Sequence, residues 1–333
     1  MAESLAPLIS VLLPAYNCAG TLADAVESIL AQTLGDFELI VVNDGSTDGT
    51  AAVLDGLAAR DARVRPLHTA NGGIVQALNT ALAQARGEFI ARMDGDDRSH
   101  PERFARQVAY LREHPRCVCV GTLFRLMDAE GDITSVQPAT GELRQTDLSV
   151  FPPHVAVLPH PSIMLRGRAV RELGGYRHGF KHAEDFDLYL RLARCGELGM
   201  VQQPLLDYRI HGGSLSSQNM EAQLDASMRA WLCALAVYRG RAEPDPAQLQ
   251  FEPASLAAVL GDARLARLVL LFRTLRRVDA VQMRLGSASA IAPARRFLAG
   301  WLASLPALLA SRGYWRLGLL GMKRMAKIAV GRI

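Results

Sequence analysis

The first third of the chain alternates between short, continuous apolar runs and segments whose apolar residues recur at helical spacing. Continuous apolar runs are typical of strands covered on both faces, as in parallel sheets. The alternation predicts an α/β fold with a doubly wound, mostly parallel, Rossmann-like sheet. Thr21 is placed to cap the first helix. The predicted strands are 8–14, 37–42, 64–67 and 88–93, and the predicted helices are 21–32, 48–60 and 74–85.

The pattern becomes less regular after this region and changes again near residue 220. Beyond residue 220, helical patterns rich in Ala, Leu and Arg continue to the end. We therefore predict two domains, one at 1–217 and a helical C-terminal extension at 218–333. Between the two regular regions, helices are predicted at 101–114, 167–173 and 185–195, strands at 118–126, 162–165 and 202–209, and irregular structure at 128–158.

Composition places the chain among ordinary globular proteins. Half of its residues are hydrophobic and 21% are charged, which argues against disorder. Its five cysteines include no CxxC pair, so a disulfide scaffold and a zinc ribbon are disfavoured and a reducing cytoplasm is expected. The net charge of +4 is too small to indicate nucleic acid as a partner. No apolar run reaches the ~18 residues of a membrane-spanning helix.

Basic residues are concentrated at the C-terminal end. From residue 280 onward there are nine lysines and arginines and no aspartate or glutamate. The segment 297–309 adds Phe, Trp and Leu residues, as in amphipathic helices that lie on a membrane. An anionic membrane surface is therefore one predicted partner. The equal alternative is a helical subdomain that packs on the core or forms a homodimer.

An acidic triplet, Asp94-Gly95-Asp96, follows the fourth predicted strand. In doubly wound sheets, ligands bind beyond the carboxyl ends of the strands. Two carboxylates one residue apart at such a turn can hold a hard cation, Mg²⁺ or Mn²⁺, against diphosphate oxygens. The alternative is an acidic turn before the helix at 101–114, with Asp97 as its cap.

A second polar turn, NDGSTDG at 43–49, follows the second predicted strand. Asp44 can accept hydrogen bonds from a nucleobase, and a glycine such as Gly73 lets a ligand approach the backbone closely. The alternative is a plain connection between strand and helix, in which Asp48 or Thr47 caps the next helix.

Three further polar groups lie in the second half of the chain. Glu184-Asp185 opens a predicted helix, where one acid can serve as a general base or both can complement the helix N-terminus. Arg209 ends the last predicted strand and offers a cation, and His211 follows that strand and offers a metal ligand, with a solvated loop histidine as the alternative. His160-Pro161-Ser162 indicates a turn before a strand.

The order of these motifs is more specific than any one of them. They are PAYN at 14–17, NDGSTDGT at 43–50, NGG at 71–73, MDGDD at 93–97, HPS at 160–162, AEDFDL at 183–188 and YRIHGGSLS at 208–216. As an ordered set over residues 7–217, they resemble the inverting family 2 glycosyltransferases, which have the GT-A fold. The combination of ALN at 77–79 with ARMDGDD at 91–97 is similar to bacterial enzymes that build surface polysaccharides.

This resemblance implies that the chain moves a sugar from a nucleotide-sugar, chiefly a UDP-sugar, to a hydroxyl of a glycan or lipid-linked acceptor. It implies Mn²⁺ or Mg²⁺ as cofactor. The cysteine content and the basic C-terminal end add the expected location, which is cytoplasmic and peripheral on the inner face of the membrane. The implied donor-binding residues are Pro14, Ala15, Tyr16, Asp44, Gly73, Arg92, Asp94, Gly95, Asp96 and Arg209; the metal ligands are Asp96, Asp94 and His211; the catalytic base is Asp185; and His160, Ser162 and Glu184 border the acceptor.

Within that set, the resemblance gives individual roles. Tyr16 would lie against the base, and Asp44 would take the N3 proton of uracil. Asp94 would contact ribose, or the metal through water, whereas Asp96 would ligate the metal directly. His211 would complete the cradle around metal and diphosphate.

Two rival functions follow from the same residues. A sugar nucleotidyltransferase also uses an α/β sheet and a metal, but a glycine-rich phosphate loop would follow its first strand, where this chain has PAYNCAGT. A non-catalytic scaffold for polysaccharide assembly would not need every acidic motif. The QxxRW signature of processive synthases is absent from the sequence, which favours the transfer of a single sugar.

Overall fold

The computed structural model describes residues 6–138, 146–148, 155–210, 220–270 and 272–273. The chain divides into two compact units. The first comprises Met1–Gln145, Ala156–His178 and Arg191–Ser214, and the second comprises Thr146–Val155, Gly179–Leu190 and Leu215–Ile333. The domain boundary that the sequence places at residue 217 stays a prediction.

Four parallel strands begin the sheet of the first unit. Ile9 pairs with both Phe37 and Phe89, so three of the strands start level and their carboxyl ends lie at one edge. Nearly every strand residue except those of the outermost strand is buried, because helices cover both faces. The strands are β1 (Ile9–Ala15), β2 (Phe37–Asp44), β3 (Val64–Thr69) and β4 (Phe89–Arg92), and the helices between them are α1 (Leu22–Leu30), α2 (Thr50–Arg60) and α3 (Ile74–Gln84).

The remainder of the described sheet is mixed. Its elements are β5 (Arg98–Ser99), α4 (Arg103–Glu113), β6 (Cys117–Met127), β7 (Ile133–Val136), β8 (Met164–Arg166), α5 (Gly167–Glu172) and β9 (Glu197–Arg209). The strand order is β3-β2-β1-β4-β8-β6-β9-β5, with β7 paired to β6. β8 runs antiparallel to both β4 and β6, whereas β9 runs parallel to β6. The predicted α/β class with a doubly wound sheet is confirmed, and the second half adds antiparallel pairs.

One stretch predicted to be irregular, 128–158, contains the strand β7. A tight turn precedes it, in which Asp128 accepts hydrogen bonds from the amides of Gly131 and Asp132 at 2.9 and 2.8 Å. Gly131 has φ +100°, a backbone conformation that favours glycine. All four residues of β7 are exposed. The strand therefore has no buried face that would leave an apolar pattern in the sequence.

A buried carboxylate lies at the amino ends of the parallel strands. Glu38 is 4% exposed and accepts hydrogen bonds from the Ser10 hydroxyl at 2.7 Å and the Arg86 amide at 3.0 Å. The guanidinium groups of Arg65 and Arg86 also pair with it. Burial raises the pKa of Glu38, but these hydrogen bonds outweigh it and hold the pKa below its ordinary value of 4.5. Both carboxylate oxygens thus have protein partners.

The second unit is helical in its described part. It contains most of α6 (Glu184–Leu192), then α7 (Met220–Tyr238) and α8 (Pro253–Leu260), and residues 263–270 are also helical. A core of buried apolar side chains, including Trp231, holds these helices together. The predicted helical C-terminal region is confirmed for these residues. Among the helices that the structure describes, none is long and apolar enough to cross a membrane. The membrane and dimer predictions rest on residues 280–333, which lie outside the described residues.

Candidate functional site

The loops that follow β1 and β2 are joined by hydrogen bonds at the carboxyl edge of the sheet. The Asn17 amide donates to the Ser46 hydroxyl at 3.0 Å, and the Thr47 amide donates to the Asn17 side chain at 2.8 Å. Asn17 has φ +48°, which asparagine tolerates better than most residues. The Asp48 carboxylate accepts the amide of Thr50, the first residue of α2, at 3.0 Å. The loops after β1 and β2 are therefore linked to each other and together form the rim of the site.

Thr21 joins this rim to the acidic loop instead of capping α1 as predicted. Its hydroxyl donates to the Gly95 carbonyl at 2.9 Å, and no hydrogen bond from its side chain caps the described helix.

Gly95 itself sits in a confined space, since an added Cβ would lie 3.0 Å from the Cys18 sulfur. Burial raises the pKa of the Cys18 thiol to about 11. A larger residue at position 95 would therefore have to displace the Cys18 side chain.

Asp44 is buried at the end of β2 and is already held by main-chain amides. Its two carboxylate oxygens accept hydrogen bonds from Gly72 and Gly73, each at 2.8 Å, and Asn71 donates to its carbonyl at 3.0 Å. Gly73 has φ +82°, so the NGG turn depends on glycine to aim these amides. A carboxylate oxygen has more than one acceptor site. The carboxylate of Asp44 is therefore oriented, and its contact with a base stays a prediction.

The remaining residues predicted to hold the base lie at the end of β1. Pro14 and Ala15 are its last two residues and pair with Val42 and Asn43 of β2. Tyr16 follows them, and 53% of its surface is exposed, so its ring is accessible to a ligand. Their contact with a base stays a prediction.

Arg92 and Asp94 form an ion pair at the end of β4. The two side chains approach to 2.5 Å, and Arg92 is buried while the Asp94 side chain is about one-quarter exposed. Burial lowers the pKa of Arg92, but the charges of Asp94, Tyr176 and Asp97 together outweigh burial, and the pKa is raised above the ordinary value. Asp94 thus has a fixed orientation before any ligand binds.

Asp94, Asp96 and Asp97 form an acidic cluster in which one ligand atom from each lies within 4.8 Å of the others. Asp97 is 1% exposed; one of its oxygens accepts the Arg209 amide at 2.8 Å, and the other has no hydrogen-bond partner among the described residues. Burial, and then the charges of Asp94 and Asp96, raise the pKa of Asp97 well above 3.8. A buried oxygen without a partner beside two further carboxylates fits a hard divalent cation.

The prediction that Asp97 caps the following helix was wrong. The helix α4 begins at Arg103, and its N-cap position is Glu102, with no side-chain capping bond in the described structure. Asp97 instead binds the end of β9. Its buried, underpaired carboxyl makes it a functional candidate that the sequence reading missed.

Arg103 is a second buried residue that the sequence reading missed. Its guanidinium, fully buried, donates to the Arg92 carbonyl at 2.6 Å, the Ile163 carbonyl at 3.2 Å and the Gln107 side chain at 3.1 Å. Burial, and then the charge of Arg92, lower the pKa of Arg103 to about 9. A signal was present, because Arg103 and Gln107 lie four residues apart on the same helix face as the buried Phe104 and Leu111.

The HPS turn, predicted to border the acceptor, lies next to β4. The half-buried His160 ring hydrogen-bonds the Tyr176 hydroxyl at 2.9 Å. Burial, and then the charge of Arg92, lower the pKa of His160 well below 6.5, so the ring is neutral. Ser162 is fully buried, and its hydroxyl donates to the Pro159 carbonyl at 2.7 Å, so it shapes the turn that carries His160. Contact of either residue with an acceptor stays a prediction.

Two of the predicted functional motifs lie apart from these groups in the chain. Asp185 and Glu184 open α6 and belong to the second unit, where Asp185 accepts the Phe186 amide at 2.7 Å. Their roles as base and acceptor neighbour stay predictions. His211 and Ser214 fall outside the described residues, and so do their predicted roles. Arg209 lies within the described residues and binds the acidic loop through Asp96 and Asp97.

Comparison with known proteins identifies relatives of this arrangement. The profile named Glycosyl transferase family 2 matches residues 10–174. A putative glycosyltransferase, EpsE of Bacillus subtilis (strain 168), is 35% identical over 218 residues, which are 62% of this chain and 74% of that protein. Chondroitin synthase of Pasteurella multocida (strain Pm70) is 30% identical over 217 residues, 65% of this chain. The match spans 22% of the synthase's length, so its whole activity does not carry over.

Solved structures share the fold. TarS 1-349 of S. aureus, in complex with UDP-GlcNAc, has a TM-score of 0.59 at 18% identity, and the match covers 88% of this chain and 81% of that chain. The mannosyltransferase PcManGT from Pyrobaculum calidifontis, in complex with GDP-Man and Mn²⁺, has a TM-score of 0.51 at 20% identity, covering 99% and 88%. At these identities the likeness shows the GT-A fold that the motifs led us to expect.

Proposed function

Because the chain belongs to glycosyl transferase family 2, we propose that it transfers a single sugar from a UDP-sugar to a hydroxyl of a glycan or lipid-linked acceptor. The observation that carries this proposal is the acidic cluster at the carboxyl edge of the parallel strands, where one oxygen of Asp97 is buried without a partner among the described residues. The UDP-GlcNAc complex of TarS and the similarity to chondroitin synthase support the donor class and a role in polysaccharide synthesis.

The rim loops supply the donor site in this proposal. Tyr16 stacks on the base, and Asp44, held by two amides, accepts a hydrogen bond from the N3–H group of uracil. Pro14 and Ala15 help to hold the base, and Gly73, which has no Cβ, lets the nucleoside approach the backbone closely. Arg92 orients Asp94 toward the ribose through their ion pair. dTDP presents the same base edge and is the next donor to test.

Asp96 and Asp94 would hold the divalent cation in this proposal, with His211 completing the set. Mn²⁺ or Mg²⁺, when bound, would supply positive charge that stabilises the diphosphate leaving group. The cluster suits that task because carboxylate oxygens are the ligands these hard cations prefer.

Asp185 is the proposed general base. It takes the proton of the acceptor hydroxyl, whose oxygen attacks the anomeric carbon on the face opposite the departing UDP. The carbon–oxygen bond to UDP breaks as the new bond forms, so an α-linked donor gives a β-linked product. General-base assistance contributes roughly 10²–10⁴-fold. Glu184, His160 and Ser162 border the acceptor in this arrangement, and a site at the cytoplasmic face of the membrane would bring a lipid-linked acceptor within reach.

Turnover of a donor panel tests the proposal. Purified protein with Mn²⁺ is mixed with UDP-, dTDP- and GDP-sugars, and nucleotide release is measured with and without a bacterial lipid extract as acceptor. We expect release from one UDP-sugar, stimulated by the extract. Tight UDP binding with no release from any donor, alone or with the extract, would instead support the non-catalytic scaffold.

Asp185→Asn tests the base within the same assay. We expect turnover to fall by ~10²–10⁴-fold while UDP affinity stays within about twofold, because the substitution removes a proton acceptor and not a donor contact. Normal turnover in this variant would remove Asp185 from the mechanism.

A further inference from the structure

Arg209, the last residue of β9, is bound to the acidic loop at two points. Its amide donates to the Asp97 carboxylate at 2.8 Å, and its Nε donates to the Asp96 carbonyl at 2.8 Å. The loop therefore meets the end of β9 through main-chain and side-chain groups of a single residue. These contacts connect positions 112 and 113 residues apart in the chain.

The rest of the guanidinium is also engaged. Nη1 donates to the Ala129 carbonyl at 2.8 Å and the Asp128 carbonyl at 3.2 Å, in the turn after β6. Nη2 lies 3.7 Å from an Asp24 carboxylate oxygen on α1. The side chain is about 4% exposed. Arg209 thus connects the acidic loop, the β6 turn and α1.

This arrangement is unsuited to direct contact with a diphosphate. If the guanidinium turned to a phosphate, the carbonyls of Asp96, Asp128 and Ala129 would lose their charged donor. Asp96 and Asp128 are half-buried and Ala129 is exposed, so the loss would be that of three hydrogen bonds from a charged donor, which are stronger than hydrogen bonds between neutral groups. A planar fork that reaches several carbonyls in fixed directions is the geometry that arginine supplies and lysine does not.

We infer that Arg209 is a positioning residue for the acidic loop, the proposed metal site. It holds Asp96 and Asp97 in place and does not bind the diphosphate. The inference rests on the proposed function, since it takes the acidic cluster as the metal site. Groups that orient metal ligands from outside the coordination sphere typically change metal affinity by 10–100-fold when they are altered.

Mn²⁺ binding without nucleotide separates the two roles. Arg209→Lys keeps the charge and the hydrogen bond from the main-chain amide to Asp97 but cannot span the same carbonyls. Arg209→Gln serves as a second variant if the first fails to fold. Arg125→Lys is the matched control, because Arg125 pairs with Asp207 of β9 at 2.6 and 2.9 Å instead of with the acidic loop. Free Mn²⁺ is titrated by electron paramagnetic resonance and UDP by calorimetry, well below each variant's melting temperature.

We expect both Arg209 variants to bind Mn²⁺ alone at least about 10-fold more weakly than wild type, with Arg125→Lys unchanged. Normal Mn²⁺ affinity with weakened UDP affinity would overturn the inference and assign Arg209 to the diphosphate. A lower melting temperature with both affinities normal would overturn it as well, by leaving a purely structural role. If wild type binds Mn²⁺ but turns over no donor, the proposed function fails while the positioning role is still supported by weaker Mn²⁺ binding in the variants.

Discussion

Two buried carboxylates lie at opposite ends of the sheet, Glu38 at the amino ends of the parallel strands and Asp97 beyond the carboxyl end of β4. Glu38 is surrounded by donors, and its pKa is lowered by their hydrogen bonds against the effect of burial. Asp97 has the main-chain amide of Arg209 as a donor and two carboxylates nearby, and burial raises its pKa. A carboxylate satisfied by its own protein stabilises the fold, whereas an underpaired one retains capacity for a ligand.

The largest difference is expected when the half-buried carboxylate of Asp96, the neighbour of Asp97, is removed. Asp96→Ala should weaken Mn²⁺-dependent UDP binding by at least about 100-fold, or ~2.7 kcal/mol, because a direct metal ligand is lost. Calorimetric titration of UDP in the presence of Mn²⁺ measures it. Glu38→Gln is the control at the other edge and should bind as wild type does. Unchanged UDP affinity of Asp96→Ala in the presence of Mn²⁺ would show that the carboxyl edge of the sheet does not hold the metal.

Neutralising Glu38 should chiefly affect stability. Glu38→Gln leaves two arginines and a main-chain amide without their charged acceptor, so the free energy of unfolding should fall by about 2 kcal/mol. Thermal unfolding should show a melting temperature roughly 4–8 °C lower. Wild-type stability in this variant would mean that the amino-edge network contributes little, and the contrast with Asp97 would fail.

Neutralising Asp97 should have the opposite pair of effects, with little change in stability and weaker Mn²⁺ binding. Asp97→Asn keeps an oxygen for the Arg209 amide and relieves repulsion within the acidic cluster, so stability should change by less than about 1 kcal/mol. Mn²⁺ affinity should nevertheless fall by about 10-fold, because one charge beside the cation is lost. Thermal unfolding and a Mn²⁺ titration of one preparation measure both. A loss of stability as large as that of Glu38→Gln would show that Asp97 is a structural acid.

The smallest effect is the pH dependence of the Glu38 contribution. The folded-state pKa of Glu38 is below its ordinary value of 4.5, so its contribution is complete above that value and is lost as the pH falls through the folded-state pKa. Urea denaturation of wild type and Glu38→Gln from neutral to strongly acidic pH should therefore show their stability difference shrinking toward zero. A difference that persists in strong acid would contradict the assignment.

The local pattern of apolar and polar residues was enough to predict the parallel strands β1, β2 and β4 and the acids at the ends of β2 and β4. The apolar runs that became β1, β2 and β4 are buried, and Asp44 and Asp94 lie at strand ends as expected. The prediction that Asp97 caps the next helix was wrong because the spacing of nearby residues carries no information about its partner, Arg209 of β9. Thr21 was misassigned for the same reason, since its hydroxyl bonds Gly95 across 74 residues. Arg103 was missed because a polar residue on a helix is normally solvated.

The bond between Asp97 and Arg209 also bears on how the protein folds. The pairs β1–β2 and β2–β3 join strands adjacent in the chain, and their paired residues lie 28 and 25 positions apart, as in Ile9–Phe37 and Leu39–Val64. The acidic cluster instead depends on a contact that spans 112 residues. Contacts of long sequence separation form slowly because more chain entropy is lost before they are made. We therefore expect the acidic cluster to be among the last parts of the first unit to mature, after synthesis has passed β9.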